Sequence, residues 1–216
     1  MAQYLELHPT HPQEMLLKTA CDLLQKGQVL AMPTDSCYAL VCQLDDQEAV
    51  QKMRRIKGVY ESHLLTLMCR DLSQLATYAK VDNRQFRLLK SATPGPYTFI
   101  LEATKEVPKR VSQPKRKTIG LRVPDHAALQ MLLSLHGRAI VSTTLSVPES
   151  NDILSDPQDI RARLERQLGA IVDSGAVPSL PTTVLDLTPM DKGLAPTLIR
   201  QGRGSLELLG ISSYEI

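Results

Sequence analysis

Several apolar segments of this chain end in hydroxyls or in a cation, the side-chain types that bind phosphate and carboxylate groups. Residues 33–38 read P-T-D-S-C-Y and lie between the apolar runs V-L-A-M and A-L-V. A solvent-facing turn needs no apolar sequence so close on both sides. Such endings recur at Thr34, Asp35, Ser36, Tyr38, Lys57, Arg122, Ser142, Thr143, Thr144, Ser146, Thr182, Thr183 and Arg200. Together they predict a site for an anionic ligand that carries hydroxyl groups.

The elements that must position these residues alternate between strand-like and helix-like patterns. Strands are predicted at 29–32, 64–69, 97–103, 118–123, 139–142, 170–173, 183–187 and 197–200. Strand ends on one side of an α/β sheet converge on a crevice, where ligands bind by preference. The last strands follow one another without helices between them, which argues against a purely parallel sheet. We therefore predict one α/β domain over residues 1–216, a twisted mixed sheet with flanking helices.

Capping residues mark the helices of this pattern. Helix starts are predicted at Asp45 or Asp46, Asp71, Asp82, Asp125 and the pair Asp156-Pro157. The first helix ends at Gly27, and its periodic positions are Met15, Leu16, Thr19, Ala20, Leu23 and Leu24. The second helix is expected to bury Ala49, Val50, Met53 and Ile56.

The composition of the chain argues against several classes of protein. The chain has 216 residues, enough to bury a core without disulfides. Its four cysteines form no C-x-x-C pair, and none of its five histidines has a metal-like neighbour, so no metal site is predicted. No signal peptide or long apolar run is found, so we expect a cytoplasmic protein that does not enter a membrane.

One segment is strongly basic although the net charge is only +2. Residues 105–117 read K-E-V-P-K-R-V-S-Q-P-K-R-K, and we call them the basic loop. Such a patch suits RNA or polyphosphate, and a solvated loop without a partner is the alternative. The candidate RNA contacts are Lys109, Arg110, Lys115, Arg116 and Lys117.

Neither G-x-G-x-x-G nor G-x-x-x-x-G-K-[ST] occurs in the sequence, so any nucleotide would have to be held by side chains.

Six sequence blocks resemble the YrdC/YciO family, whose best-understood members are threonylcarbamoyl-adenylate synthases. The blocks are P-T-D-S-C-Y-A-L at 33–40, T-P-G-P-Y-T-F-I-L at 93–101, I-G-L-R-V-P at 119–124, V-S-T-T at 141–144, P-T-T-V-L-D-L at 181–187 and L-I-R-Q-G at 198–202. They occur in family order and span nearly all of the chain after the first helix. T-L-M-C-R-D-L-S at 66–73 and K-R-K-T-I-G at 115–120 resemble the YciO branch more than the YrdC branch.

The resemblance implies a fold similar to that of YrdC, YciO and DHBP synthase, with a concave basic cleft. It also implies synthesis of threonylcarbamoyl-AMP from L-threonine, bicarbonate and ATP with Mg²⁺, for modification of tRNA adenosine. Lys57 would be the catalytic residue. The substrate-binding residues would be Thr34, Tyr38, Thr66, Arg122, Ser142, Thr144, Ser146, Thr183 and Arg200. Thr34 and Tyr38 would shape the threonine pocket, and the cations would face phosphate or carboxylate.

Three positions depart clearly from the synthase pattern, and Ala39, in place of the glycine of a Tyr-Gly-Leu motif, departs more mildly. Val59 stands where the synthases carry the arginine of a Lys-x-Arg motif, and His63 aligns with a lysine. Ser146 replaces the asparagine of a Ser-x-Asn motif. Loss of one well-placed electrostatic contact costs about 10²–10³ in rate, so synthesis is expected to be weak or altered.

Three functions therefore remain open from the sequence. The first is an ATP- and threonine-binding protein with weak or altered synthase activity. The second is a non-catalytic paralogue that binds tRNA or double-stranded RNA through the basic loop. The third is an enzyme for another amino acid or carbamoyl donor. The remaining polar residues could also be inherited groups that only support the fold, and the chain is expected to be a monomer or a homodimer.

Overall fold

A single mixed sheet of ten strands organises the computed structural model, which describes residues 1–60, 63–113, 115–148 and 152–210. The strands are β1 (Gln3–Glu6), β2 (Leu30–Met32), β3 (Ala39–Gln43), β4 (Thr66–Met68), β5 (Tyr97–Glu102), β6 (Thr118–Arg122), β7 (Ile140–Thr144), β8 (Ala170–Asp173), β9 (Thr183–Asp186) and β10 (Thr197–Arg200). Their order across the sheet is β1-β8-β2-β3-β7-β4-β6-β5-β9-β10.

Parallel and antiparallel pairs coexist in this sheet. The pairs β1/β8, β2/β8, β4/β6 and β5/β9 are parallel, and the remaining neighbours are antiparallel. The predicted α/β class and mixed sheet are confirmed. The antiparallel β9/β10 pair is the direct consequence of two strands joined without a crossover helix. Strand β1, which the sequence analysis does not predict, forms an edge of the sheet beside β8.

Six α-helices flank the sheet in the part of the chain that the structure describes. They are α1 (Glu14–Gln25), α2 (Gln47–Lys57), α3 (Leu72–Tyr78), α4 (Asn83–Ala92), α5 (Ala127–His136) and α6 (Pro157–Leu164). The carboxylates of Asp46, Asp71, Asp82 and Asp156 accept backbone N–H groups at the starts of α2, α3, α4 and α6. None of the helices in the described residues is long and apolar enough to cross a membrane.

Two helix predictions are wrong in detail. Helix α5 has His126, not Asp125, at its N-cap, and the His126 side chain makes no capping hydrogen bond among the described residues. Helix α1 buries Leu17 and Cys21 together with Ala20 and Leu24, whereas Met15 is exposed. The apolar positions at the start of α1 fit two overlapping helical stripes, and only packing against α5 selects one of them.

Helices α1 and α5 cover only part of one face of the sheet. Their buried residues pack against side chains of β1, β8, β2 and β3, and against Met68 and Ile140. The opposite face belongs to a larger core that includes buried residues of α2, α3, α4 and α6. Farther along the first face, β4, β6, β5 and β9 contribute lining residues to an open cavity.

Candidate functional site

The floor of this cavity, which we call the cleft, is the uncovered face of the sheet. The pairing of β7, β4, β6 and β5 places four residues side by side on one face of the sheet. In strand order they are Ser142, Thr66, Gly120 and Ile100. Successive residues of a strand alternate between faces, so Thr98, Thr118 and other even-numbered lining residues join the same floor. Short hydroxyl side chains, a glycine and Ile100 therefore form the floor, and the glycine leaves room above the sheet.

The cleft has a volume of about 380 Å³. Seven residues predicted to bind substrate or act in catalysis line it: Lys57, Thr66, Arg122, Ser142, Thr144, Ser146 and Arg200. They come from β4, β6, β7, β10, the end of α2 and the segment after β7. Three of the seven are cations, so the cleft carries positive charge along with its hydroxyl groups.

Gly120 keeps the middle of the floor open. A Cβ atom at this position would lie 3.1 Å from Thr66 Oγ1 and 3.4 Å from Thr98 Cγ2. Any side chain here would also project into the space where a ligand would lie.

Lys57 enters the cleft from the last turn of α2. Its Nζ donates a hydrogen bond of 2.5 Å to Ser146 Oγ, across 89 residues of sequence. Asp46 caps the start of α2, and Gly58 ends the helix in a left-handed conformation, so both helix ends are well defined. Burial lowers the pKa of Lys57, nearby Arg200 lowers it further, and Cys37 acts in the opposite direction. Burial removes part of the hydration of the Lys57 ammonium. A phosphate or carboxylate bound beside it would therefore stabilise its charged form.

Arg122 is buried and paired with a carboxylate. Its Nη2 bonds to Asp35 Oδ1 and to Thr34 Oγ1, the latter at 3.2 Å. The two charged side chains are only 6% and 10% exposed, so the pair is an internal salt bridge. Arg122 Nε is buried and has no hydrogen-bond partner among the described residues. Asp35 therefore fixes the position of the guanidinium in the wall of the cleft, where Arg122 is one of the lining residues.

The third cation of the cleft, Arg200, is held by the segment before β9. Its Nε and Nη2 donate to the carbonyl oxygen of Thr182 at 3.2 and 3.0 Å. The Thr182 hydroxyl in turn lies 2.9 Å from that of Thr98 on the floor. The chain before β9, strand β5 and strand β10 are thus joined at the side of the cleft opposite α2.

Three predicted site residues lie outside the cleft lining. Thr34 is buried behind Arg122, where its hydroxyl also donates to the Cys37 carbonyl at 2.7 Å. Tyr38 is fully buried and donates to the Gly175 carbonyl, and burial raises the pKa of its phenol. Thr183 is fully buried and bonds to the Gly204 carbonyl and the Gly202 amide. In this structure Thr34 supports a cation of the cleft wall, whereas Tyr38 and Thr183 bond to backbone groups of loops outside the cleft lining.

Other lining residues were not assigned to the site from the sequence. Thr98, Thr118 and Gly120 lie in the predicted strands, and a regular alternation of small polar residues was the signal available for them. Thr182 lines the cleft, whereas the resemblance implies a substrate-binding role for Thr183. His63 also lines it, 3.4 Å from the Thr143 hydroxyl. Burial lowers the pKa of His63, and Lys57 and Arg54 lower it further, so this imidazole is neutral at pH 7.

The basic loop connects β5 and β6, which form an antiparallel pair. Lys109, Arg110, Lys115, Arg116 and Lys117 are exposed along it. Val107 and Val111 anchor the loop in the core, and Val111 and Gln113 also line the cleft. The predicted RNA-binding residues therefore lie on a loop that forms part of the wall of the cleft.

Among the described residues, His, Cys, Asp and Glu side chains form no group of three or more that could hold a metal ion.

Comparisons with known proteins identify a family and a similar solved structure. The family model described as telomere recombination, which covers Sua5, YciO and YrdC proteins, matches residues 22–202. YciO of Escherichia coli K12 is 46% identical over 207 residues, which cover 96% of this chain and 98% of that protein. The crystal structure of E. coli YciO superposes with a TM-score of 0.91 over 97% of this chain and 100% of that one.

More distant relatives have a stated activity or ligand. The threonylcarbamoyl-AMP synthase of Bos taurus is 32% identical over 177 residues, which cover 80% of this chain and 63% of that protein. The crystal structure of P. abyssi Sua5 complexed with L-threonine is 23% identical, with a TM-score of 0.84 over 92% of this chain and 57% of that one. At this identity the second comparison shows the shared fold.

Proposed function

This chain belongs to the Sua5/YciO/YrdC family, and from that premise we propose that its cleft binds ATP and L-threonine. The observation that carries the proposal is the convergence of Lys57, Arg122 and Arg200 on one hydroxyl-floored cavity. We further propose a weak or altered threonylcarbamoyl-AMP synthase activity, linked to tRNA threonylcarbamoyladenosine. The bovine synthase and the threonine complex of P. abyssi Sua5 support the choice of substrates.

The proposed reaction depends mainly on positive charge that balances the phosphate oxygens of ATP. A carbamate formed from threonine and bicarbonate attacks the α-phosphorus of ATP, and pyrophosphate leaves. Negative charge on the phosphate oxygens must be balanced throughout, so fixed cations and correct positioning provide most of the catalysis. Lys57 and Arg200 would face the polyphosphate, and the positive charge of Arg122 in the cleft wall would stabilise an anionic oxygen. Mg²⁺ would enter with the triphosphate and be held largely by it.

Three departures from the synthase pattern favour a low rate. His63 is neutral where the synthases carry a lysine, so it supplies no fixed charge. Ser146 accepts from Lys57 through a single hydroxyl, whereas an asparagine would accept through its amide oxygen and keep two N–H groups for a ligand. Val59, in place of the synthase arginine, cannot bind phosphate. Relative to the synthases, we therefore expect a larger loss in the rate of synthesis than in the affinity for the ligands.

Pyrophosphate release with ATP, bicarbonate and L-threonine tests the enzymatic proposal. Lys57→Ala should reduce the rate by about 10²–10³, the typical effect of one lost electrostatic contact. Lys18→Ala is the matched control, because Lys18 lies on the exposed side of α1 in an ion pair with Glu14. Equal background release from the wild type and the Lys57→Ala variant would exclude the synthase activity. A thermal-shift titration with ATP and threonine would then decide whether binding alone remains.

RNA binding is the second candidate function, and the position of the basic loop favours it. Its exposed cations stand on the same loop as Val111 and Gln113, so bound RNA would lie beside the mouth of the cleft. Binding to duplex RNA or tRNA should weaken steeply with salt, with a slope near −0.9 for each phosphate neutralised on a duplex. Simultaneous Lys115→Ala, Arg116→Ala and Lys117→Ala should flatten that slope, whereas Lys18→Ala should not. A flat salt dependence of the wild type would argue against an RNA partner.

A further inference from the structure

A second cavity lies on the other side of the Asp35–Arg122 ion pair from the cleft. Its lining residues are Pro9, Thr34, Asp35, Pro96, Asp125, His126, Ser174, Ala176, Val177, Pro178 and Arg203. Asp35 belongs to this lining, whereas Arg122 belongs to the lining of the cleft. The ion pair thus forms part of the wall between two cavities.

Three residue types that act together in nucleophilic catalysis meet in this second cavity. Ser174 Oγ lies 3.4 Å from His126 Nε2. The Asp35 carboxylate acts electrostatically on the same imidazole. The three residues come from distant segments: the loop after β2, the N-cap of α5 and the turn after β8. A nucleophile, a base and a carboxylate that orients the base form the arrangement that activates serine hydroxyls on unrelated folds.

Two unpaired atoms support this arrangement. His126 Nδ1 and Asp35 Oδ2 are both buried, and neither has a hydrogen-bond partner among the described residues. An unpaired buried polar atom is costly, and an N–H donor with a carboxylate acceptor would relieve both costs at once. If Nδ1 carries the proton, Nε2 is left as the acceptor that faces the Ser174 hydroxyl. Hydrogen bonds of catalytic groups are commonly longer before substrate binds.

The charges around His126 suit a general base. Burial lowers the pKa of His126, Asp35 and Asp125 act to raise it, and Arg122 acts to lower it. The net direction is downward, so the imidazole is neutral and able to accept a proton at pH 7. Arg203 at the edge of the cavity offers a cation for an oxygen that becomes negative during the reaction.

We propose that Ser174, His126 and Asp35 form a second, hydrolytic site for small acyl or carbamoyl esters. Ser174 Oγ attacks the carbonyl carbon, and its proton passes to His126 Nε2. The carbon–oxygen bond of the ester then breaks, and the leaving alcohol takes the proton from His126. A water molecule, deprotonated by His126, releases the acid from Ser174 and restores the hydroxyl. This site uses no residue of the cleft lining and does not depend on the function proposed for the cleft.

A fluorophosphonate probe tests the proposal, because it forms a stable bond only with an activated serine and releases fluoride. Peptide mapping by mass spectrometry should find the probe on Ser174 of the full-length protein. His126→Gln should slow the labelling by about 10²–10⁴, the usual contribution of a general base. Ser174→Ala should remove the labelled peptide. Ser112→Ala, on the basic loop, is the matched control and should leave the rate of labelling at Ser174 unchanged.

The pH dependence of the labelling rate distinguishes a serine activated by His126 from one that is only accessible to the probe. The labelling rate should rise with pH through the lowered pKa of His126 and then level off, and this rise should be absent in the His126→Gln variant. Urea unfolding of each variant shows whether it is folded. An unlabelled Ser174 in folded wild-type protein at saturating probe would overturn the proposal. Equal labelling of the wild type and a folded His126→Gln variant would overturn it as well.

Discussion

Removal of Arg122 should destabilise the protein strongly, because it leaves a buried carboxylate without its counter-ion. Asp35 is about nine-tenths buried, and one of its oxygens already has no partner. Breaking a buried ion pair from one side costs about 3–5 kcal/mol. Arg122→Met keeps most of the side-chain volume, so the loss would come from charge and hydrogen bonding rather than from a cavity. For a chain of this length that corresponds to a fall in Tm of roughly 6–20 °C.

A double-mutant cycle isolates the ion pair from other contacts of Arg122. Asp35→Asn removes the buried charge, so Arg122→Met should cost much less in that background than in the wild type. Urea unfolding gives the free energy of each of the four proteins, provided that the m-values agree. A cost below about 1 kcal/mol for Arg122→Met, or a cost that is the same in both backgrounds, would refute a buried and coupled pair.

Three further predictions follow from other parts of the structure. Gly120→Val should abolish nucleotide-induced thermal stabilisation, because its side chain would crowd Thr66 and Thr98 on the cleft floor, and retained stabilisation would place the ligand elsewhere. Asp46→Ala should lower the free energy of unfolding by about 0.5–2 kcal/mol in a urea titration, because it removes the cap of α2. Asp45→Ala is the control, since it removes an exposed ion pair with Arg138 and should cost less than about 1 kcal/mol. Burial lowers the pKa values of His63, His126 and His136, so the unfolded chain binds more protons below pH 6.5. The urea midpoint should therefore fall between pH 7 and pH 5.5, and substitution of all three by Gln should reduce that fall, while an unchanged slope would contradict the assignment.

The sequence predicted which segments approach the cleft, because apolar runs and capping residues reveal strands and helices locally. It could not decide between the adjacent residues Thr182 and Thr183. Neighbouring side chains of a strand point to opposite faces, and the pairing register that selects one face depends on distant strands. The choice of Tyr38 for the threonine pocket depended on family resemblance, and the structure shows its phenol turned to the Gly175 carbonyl.

The buried ion pair and the second cavity lie beyond what local patterns can reveal. Asp35 and Arg122 are 87 residues apart, and His126 and Ser174 are 48 residues apart. No periodicity or spacing connects such positions, since the sheet order β3-β7-β4-β6 that brings together distant segments is a global property. The sequence predicted a crevice at the ends of the strands, whereas the structure places the cleft over one face of the sheet, on residues within paired strands.

A crystal structure of the protein with a non-hydrolysable ATP analogue would show whether the cleft binds the triphosphate. We expect phosphate oxygens within hydrogen-bond distance of Lys57 Nζ and of the Arg200 guanidinium, above the floor of the cleft. An analogue bound outside the cleft, or a cleft that stays empty at a concentration that saturates the thermal shift, would contradict this expectation.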